Sequence, residues 1–181
     1  MNECFGKRFI LEGKLENADS FDNSLVYEGD SVYEVIRMVR NSPVFFYDHM
    51  ERLETSVSNQ KKKMLADAET IRRDILSLTK ADRKKEVNLK IDFNYNKDSY
   101  SYLIYYIEPI YPTEKQYKDG VKGILFYAER KDPGSKVINH KLRSSIFHKL
   151  ILDKAYEALL GARHRGRAAV GVDRSPGGRA G

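Results

Sequence analysis

The sequence has a single cysteine, Cys4, among its 181 residues. One thiol excludes an internal disulfide and is typical of proteins in a reducing compartment, so we predict a cytoplasmic location. The sequence also lacks a run of 18 apolar residues and an apolar core near its start, so neither a membrane span nor a signal peptide is predicted. No residues have the spacing of metal ligands, so no metal site is predicted.

Positive charge is scarce in most of the chain and concentrated at its end. Of the net charge of +6, residues 161–181 carry +4, because they contain five arginines and one acid, Asp173. The other 160 residues carry only +2. A nucleic-acid-binding module with a basic tail is therefore one hypothesis for the protein, but the rest of the chain shows no basic face, which makes nucleic acid an unexpected partner.

The composition changes at Gly161. Sixteen of the last 21 residues are Gly, Ala, Arg or Pro, and none is Lys, Ile, Leu, Phe or Tyr. Such a segment has little apolar surface to offset the entropy lost on ordering, so we predict a low-complexity, disordered tail at 161–181. Gly, Ala, Arg and Pro are encoded by GC-rich codons, whereas the rest of the chain is rich in Lys, Asn, Ile and Tyr, which also suggests that the tail is foreign sequence joined to the gene.

Apolar periodicity predicts strands and helices in the preceding part. Two short strands flank a glycine turn within Phe5–Leu15, and alternation predicts a strand at 29–39, with a turn at Asn41–Pro43 and a return strand at Val44–Tyr47. Asp48, with Glu51 in capping-box spacing, is predicted to cap the next helix. Later elements are a helix at Asp67–Thr79, a half-buried strand at Val87–Tyr95, its partner at Tyr100–Ile107, a proline-flanked linker at 108–112, a strand at Val121–Glu129, a helix beginning near Lys141 and a strand at Tyr156–Leu160.

Two segments carry a family resemblance: GDSVYEVIR at 29–37 and DHMERLETS at 48–56. In this order and separation they resemble the class IV, or fold-type IV, aminotransferases, which use pyridoxal 5′-phosphate. The resemblance implies an α+β fold, with a small N-terminal α/β domain at 1–110 and the incomplete start of a larger, barrel-like cofactor-binding domain at 111–160. It also implies a homodimer for the full-length protein.

The same resemblance implies roles for individual residues. Arg52 matches a family arginine that reaches the cofactor phosphate, which suits a guanidinium fork. Tyr33 matches a tyrosine beside the cofactor and substrate, and Arg37 is given a weaker substrate role. Glu34 is expected to be architectural, and His49 and His140 are expected to be structural.

A lysine must hold the cofactor aldehyde as a Schiff base. The segment PGSKVINHKLRSS at 133–145 resembles the family's Schiff-base segment, and we predict Lys141 as that lysine, because a position between Ile138 and Ile146 would be partly buried. Lys136 is the alternative. Its position straight after a turn favours a solvated side chain.

The sequence departs from the family in two places. The family's carboxylate for the pyridine nitrogen and its phosphate-binding loop would follow Leu160, where this sequence has its tail. The loop YYIEPIYP at 105–112 lacks the arginine that traps a substrate carboxylate in the D-amino-acid enzymes. We therefore expect this chain to be an inactive fragment, and D-amino-acid specificity is not expected.

The resulting hypothesis is a class IV aminotransferase, closest to the branched-chain group, that moves an amino group from an amino acid to a 2-oxo acid such as 2-oxoglutarate. An aminodeoxychorismate lyase of the same family, which eliminates pyruvate with the same lysine, is the alternative that residues 1–160 leave open.

Overall fold

The computed structural model of the protein describes residues 3–27, 29–96, 99–128, 136, 140–164 and 167–173. The chain divides into two compact units. The first contains Met1–Pro109 together with Asp132–Ile138, and the second contains Ile110–Lys131 and Asn139–Gly181. The chain thus leaves the first unit within the predicted linker and returns to it for seven residues.

The first unit is built on a six-stranded sheet in which all neighbouring strands are antiparallel. Its strands are β1 (Arg8–Leu11), β2 (Lys14–Asn17), β3 (Asp30–Val39), β4 (Ser42–Pro43), β5 (Glu86–Tyr95) and β6 (Tyr100–Ile107), in the spatial order β2-β1-β6-β5-β3-β4. Gly29, with a φ of +80°, precedes β3 and lies where a Cβ would stand 3.1 Å from the Asn96 Cα, so the turn requires glycine.

Two helices cover one face of this sheet. They are α2 (Phe46–Asn59) and α3 (Ala68–Ala81), and the predicted helix near Asp67 is confirmed, with the Asp67 side chain accepting a bond from the Thr70 N–H. Their apolar faces meet the inward side chains of β3 and β5 in one core. The members of that core at the helix faces are Met50, Leu53, Val57, Ile71, Ile75 and Leu78.

The turn after β3 differs from its prediction. Arg40 and Asn41 both have positive φ, so the turn lies one residue earlier and Ser42–Pro43 pairs with the end of β3. No return strand follows within the described residues 44–47, because α2 already begins at Phe46. The prediction that Asp48 caps this helix is also wrong: the cap position is Phe45, and Asp48 lies in the first turn, where its charge favours the helix dipole.

The other face of the sheet is covered by the N-terminal segment and by α1 (Ser24–Tyr27). A second apolar cluster lies there, in which Phe21 packs against Phe9 and Tyr105 at ring centroid distances of 5.0 and 4.8 Å. Strand β5 was predicted to be buried on one face. It is buried on both, because it lies between β3 and β6 beneath these two layers.

The second unit contains α4 (Glu114–Asp119), β7 (Gly123–Tyr127), α5 (His140–Leu152), β8 (Glu157–His164) and β9 (Arg167–Asp173). Strands β7 and β8 are parallel, and β9 is antiparallel to β8. Helix α5 buries Ile146 and Leu150 against Ala158 and Leu160 of β8. The short helix α4 was not predicted, although Thr113 and Gln116 form a capping box at its start.

Residues 161–164 and 167–173 lie in β8 and β9, whereas the composition of 161–181 predicted disorder. The pairing of the two strands supplies backbone hydrogen bonds that need no apolar periodicity. The predicted turn at Asp132–Gly134 lies outside the described residues.

Candidate active site around Glu34

The candidate site centres on a buried acid. Along β3 the side chains of Val32, Ile36 and Met38 point into the core beneath the helices, and the alternation of a strand puts Glu34 on the same face. Its side chain is fully buried. A carboxylate at such a position needs hydrogen bonds and positive charge to offset the loss of water.

Four groups supply them. Arg52 of α2 donates through Nε to Glu34 Oε2 at 2.9 Å and through an Nη to Oε1, a two-point contact. His49 Nδ1 and the Lys136 Nζ lie 3.0 and 3.2 Å from Oε1. The backbone N–H of Val35 also donates to Oε1, at 3.0 Å. The carboxylate therefore joins a strand, a helix and residue 136, which comes from much later in the chain.

The partners of Glu34 keep it ionised. Burial raises the pKa of the Glu34 carboxyl, but the hydrogen bond from Arg52 and the charge of Lys136 outweigh burial, so the pKa is lowered overall. Glu34 is thus a fixed negative charge that holds Arg52 and Lys136 in place, and it is poorly suited to accept a proton.

The contacts of His49 favour a proton on its Nδ1. Its Nδ1 lies close to both Glu34 Oε1 and an Nη of Arg52, at 3.2 Å from the latter. A carboxylate only accepts and a guanidinium only donates, so the stronger bond to the carboxylate is made when Nδ1 carries the proton and donates to Glu34. His49 was predicted to be structural, and this bond gives it a place in the cluster.

The backbone at Lys136 covers the open edge of β3. The Tyr33 N–H donates to the Lys136 carbonyl at 3.0 Å, and the Lys136 N–H donates to Ser56 Oγ of α2 at 3.3 Å. The side chain of Lys136 is 31% exposed, so it is paired and partly buried, not solvated as its position after a turn suggested. Its amine is therefore held at a defined place.

Tyr33 lies on the opposite face of β3 from Glu34. Its ring centroid is 5.8 Å from the Lys136 Nζ and 5.4 Å from the Nζ of Lys90, a residue on β5. Arg37, on the same face of β3, is more than half exposed and pairs with Glu86 at 3.5 Å. Tyr33 therefore lies beside the cluster, whereas Arg37 lies four residues further along the strand and pairs with Glu86.

Lys141 belongs to the second unit. It lies in the first turn of α5, where its side chain is exposed and its carbonyl accepts a bond from Ser145 Oγ at 2.9 Å. The side chain of His140 lies outside the described residues. Of the predicted site residues, the structure brings together Tyr33 and Arg52, and it adds Lys136 to them.

Sequence reasoning gave too little weight to Glu34 and Lys136. An acid in register with Val32, Ile36 and Met38 signals a buried charge, which demands cations from a facing element. His49 and Arg52 are three residues apart on α2 and so share one helix face. No comparable signal identifies Lys136, because it lies 102 positions from Glu34 in the sequence.

The cluster can hold an anion and carry a covalent adduct. Arg52 is 47% exposed although Glu34 fixes its Nε side, so the rest of the guanidinium is accessible to a phosphate or carboxylate. Lys136 supplies an amine beside it. Among the described residues, no three His, Cys, Asp or Glu side chains are placed to hold a metal ion. No described helix is long and apolar enough to cross a membrane.

The profile of a family described as amino-transferase class IV matches residues 31–159. No curated protein sequence matches the chain.

Several solved structures share the fold. A branched-chain amino acid aminotransferase from Escherichia coli is 13% identical over 87% of this chain and 60% of its own, with a TM-score of 0.71. A branched-chain aminotransferase from the archaeon Thermoproteus uzoniensis, solved with norvaline, is 18% identical over 90% of this chain and 62% of its own, with a TM-score of 0.65. A hypothetical aminotransferase from Mycobacterium tuberculosis in its PLP-bound form is 11% identical over 86% and 62%, with a TM-score of 0.66. This chain thus spans about three fifths of the length of these proteins.

Proposed function

Because the chain belongs to the class IV aminotransferase family, we propose that the protein it represents is a pyridoxal-phosphate-dependent aminotransferase whose cofactor is held by Lys136 and Arg52. The amino group would pass from an amino acid to a 2-oxo acid. The names of the similar structures favour a branched-chain amino acid as the donor.

One observation carries the proposal: the Lys136 Nζ lies 3.2 Å from Glu34 Oε1, on the same carboxylate that fixes Arg52. An amine that forms the Schiff base and a guanidinium that binds the phosphate are two of the protein groups that hold a phosphorylated aldehyde. Lys141 remains the alternative. It has the helical context of the predicted segment, but its side chain is exposed.

The residues of the cluster have distinct tasks in this proposal. When bound, the cofactor supplies a ring that withdraws electrons from the substrate carbon. Lys136 binds the cofactor and moves a proton with its Nζ. Arg52 binds the phosphate, and Glu34 orients both cations by accepting from each. The Tyr33 ring packs beside the Lys136 amine and limits the space around it.

Borohydride trapping tests which lysine reacts. The purified protein is incubated with pyridoxal 5′-phosphate, reduced, digested and mapped by mass spectrometry. We expect the adduct on Lys136, with its loss in Lys136→Ala and its retention in the matched variant Lys141→Ala. An adduct that stays in Lys136→Ala and disappears in Lys141→Ala would contradict the proposal and identify Lys141 as the reacting lysine.

The reaction is tested separately with the full-length gene product. Transfer of the amino group from leucine, isoleucine or valine to 2-oxoglutarate is expected, and release of pyruvate from aminodeoxychorismate is not. Pyruvate release without amino transfer would replace the aminotransferase by the lyase of the same family.

A further inference from the structure

Positive charge is concentrated at one end of the first unit's sheet. The antiparallel pairing of β3 with β5 places Val39 opposite Glu86, so the turn after β3 lies beside the loop that precedes β5. The residue before β1 reaches the same loop. We define the basic corner as the five cations that these three segments contribute, which are Lys7, Arg40, Arg83, Lys84 and Lys85. The sequence alone did not indicate this surface, because its cations come from separate segments.

Hydrogen bonds join the turn to the loop. The Arg40 N–H donates to the Lys85 carbonyl at 2.8 Å. The Lys84 N–H donates to the side chain of Asn41, at 3.1 Å from its Oδ1. The backbone that carries these cations is therefore fixed before a partner binds, which lowers the entropy cost of binding.

Asp82 joins the third segment to the same loop. Its Oδ2 accepts a bond from the Lys7 N–H at 2.5 Å, and its Oδ1 lies 3.4 Å from the Lys84 Nζ. Gly6 permits this approach, because a Cβ at that position would stand 2.7 Å from Asp82 Oδ2. The side chain of Asp82 is only 6% exposed. This acid therefore holds the corner together and presents little negative charge at its surface.

The positive charge is local to the corner. Residues 1–109 contain 17 Lys and Arg against 19 Asp and Glu, a net charge of −2, so the unit as a whole is not basic. Four cations of the corner are exposed, and their side chains form no ion pair with another described residue: Lys7, Arg40, Arg83 and Lys85. Cations gathered in this way repel one another, and a polyanion removes that repulsion.

An aromatic ring lies beside these cations. Phe5 is 47% exposed, and the Lys84 Nζ lies 5.6 Å from its ring centroid. The Phe5 N–H donates to the Tyr106 carbonyl at 2.8 Å, which ties this residue to the sheet. Single-stranded nucleic acid uses both kinds of group, because its phosphates contact cations and its bases stack on rings. An acidic peptide would use the cations and gain little from the ring.

We propose that the basic corner binds single-stranded nucleic acid, with phosphates on Arg40, Arg83 and Lys85 and a base stacked on Phe5. Phosphate contacts and stacking do not distinguish one base from another, so little sequence preference is expected. This binding requires neither the cofactor nor the Glu34 cluster, and it does not depend on the proposed amino transfer.

Fluorescence anisotropy with a labelled oligouridylate of about 20 nucleotides tests the corner in the 181-residue chain. In the double variant Arg83→Gln/Lys85→Gln we expect Kd to rise about tenfold, and the slope of log Kd against log salt to fall by about 1.4, because two phosphate contacts are lost. Both positions are exposed, so Tm should not change.

The matched control is Arg174→Gln/Arg179→Gln, which removes the same charge from the basic tail. This variant should bind the oligouridylate as the unaltered chain does. A loss of affinity in the tail variant that equals or exceeds the loss in the corner variant would overturn the proposal.

Phe5→Leu tests the ring separately, because it keeps an apolar side chain and removes the stacking surface. We expect binding to weaken by at least about fivefold with an unchanged salt slope. Polyglutamate and phosphatidylserine vesicles, used as competitors, should displace the probe less well than unlabelled oligouridylate at equal concentration of charge. If Phe5→Leu binds as the unaltered chain does, or if either competitor matches the oligouridylate, the corner is a surface for an acidic peptide or a membrane and the proposal fails.

Discussion

A single buried carboxylate organises the candidate site, and its removal should be costly. In Glu34→Gln the cations Arg52 and Lys136 lose their counter-charge and Val35 loses a charged acceptor. We expect the free energy of unfolding to fall by about 1–3 kcal/mol, allowing for the partial exposure of both cations. Urea unfolding measures this as a lower midpoint with an unchanged m-value. Glu51→Gln is the matched control, because Glu51 is exposed on α2, the helix that carries Arg52. A midpoint as high as that of the control would contradict the assignment.

The lowered pKa of Glu34 also predicts how stability changes with pH. Because the folded-state pKa lies below the ordinary value of 4.5, the unfolded chain binds more protons between those two values. The stabilisation from Glu34 is therefore fully present above pH 4.5 and is lost as the pH falls through the folded-state pKa. The difference in unfolding free energy between the unaltered protein and Glu34→Gln should shrink over that range. A constant difference would show that Glu34 is not ionised in the folded state.

At the residue scale, the spacing of residues within the two motifs predicted which of them lie at the site. Contacts between residues far apart in the sequence could not be predicted in this way. The motif segments selected Tyr33 and Arg52, and both lie at the cluster. The choice between Lys136 and Lys141 rested on expected burial, which depends on what the rest of the fold brings near each one. Lys136 becomes a partner of Glu34 only because the chain returns to the first unit at 132–138.

Among the elements, helix α3 offers a direct test of the core. Leu78 is fully buried against the sheet, and Leu76, two residues earlier on the same helix, is 43% exposed. Leu78→Ala should lower the free energy of unfolding by about 2–5 kcal/mol, because it removes buried apolar contacts and leaves a cavity. Leu76→Ala should change it by less than about 0.5 kcal/mol. Similar losses for both variants in urea titrations would mean that α3 faces the sheet differently.

The periodicity of apolar residues predicted which segments are strands and which are helices. The residues at which these elements end depend on local backbone conformation, which periodicity does not predict. Strands β3, β5 and β6 were predicted within one residue, because long alternating runs determine them. The start of α2 was misplaced because Phe45 adopts a left-handed φ of +52° in place of a polar cap. A bulky aromatic residue rarely has that conformation, so sequence gives no warning of it.

At the scale of the whole chain, the first unit depends on residues that follow its main segment by more than twenty positions. The Ser56 Oγ holds the Lys136 N–H, and the Lys136 carbonyl in turn protects the Tyr33 amide. Ser56→Ala should therefore speed hydrogen exchange at the Tyr33 amide by about tenfold, with no change at Ile36 in the middle of β3. The control is Ser58→Ala, because Ser58 is exposed on the same helix. Unchanged exchange at Tyr33 would mean that another group protects this edge.

The boundary at Pro109 was predictable from a proline-rich segment, since prolines interrupt regular structure. The place of Lys136 in the first unit was not predictable, because no change of composition around it marks a change of unit. The strands at 161–164 and 167–173 were not predicted for a different reason. They are paired through backbone hydrogen bonds, which a prediction from the pattern of apolar side chains does not take into account.

The span of 102 residues between Glu34 and Lys136 has a consequence for synthesis on the ribosome. Strand β3 and helix α2 emerge early, so Glu34, His49 and Arg52 can meet while translation continues. The lysine arrives only after codon 136 has been read and its product has left the exit tunnel. A nascent chain stalled before that point would contain Glu34, His49 and Arg52 without the amine that pairs with Glu34.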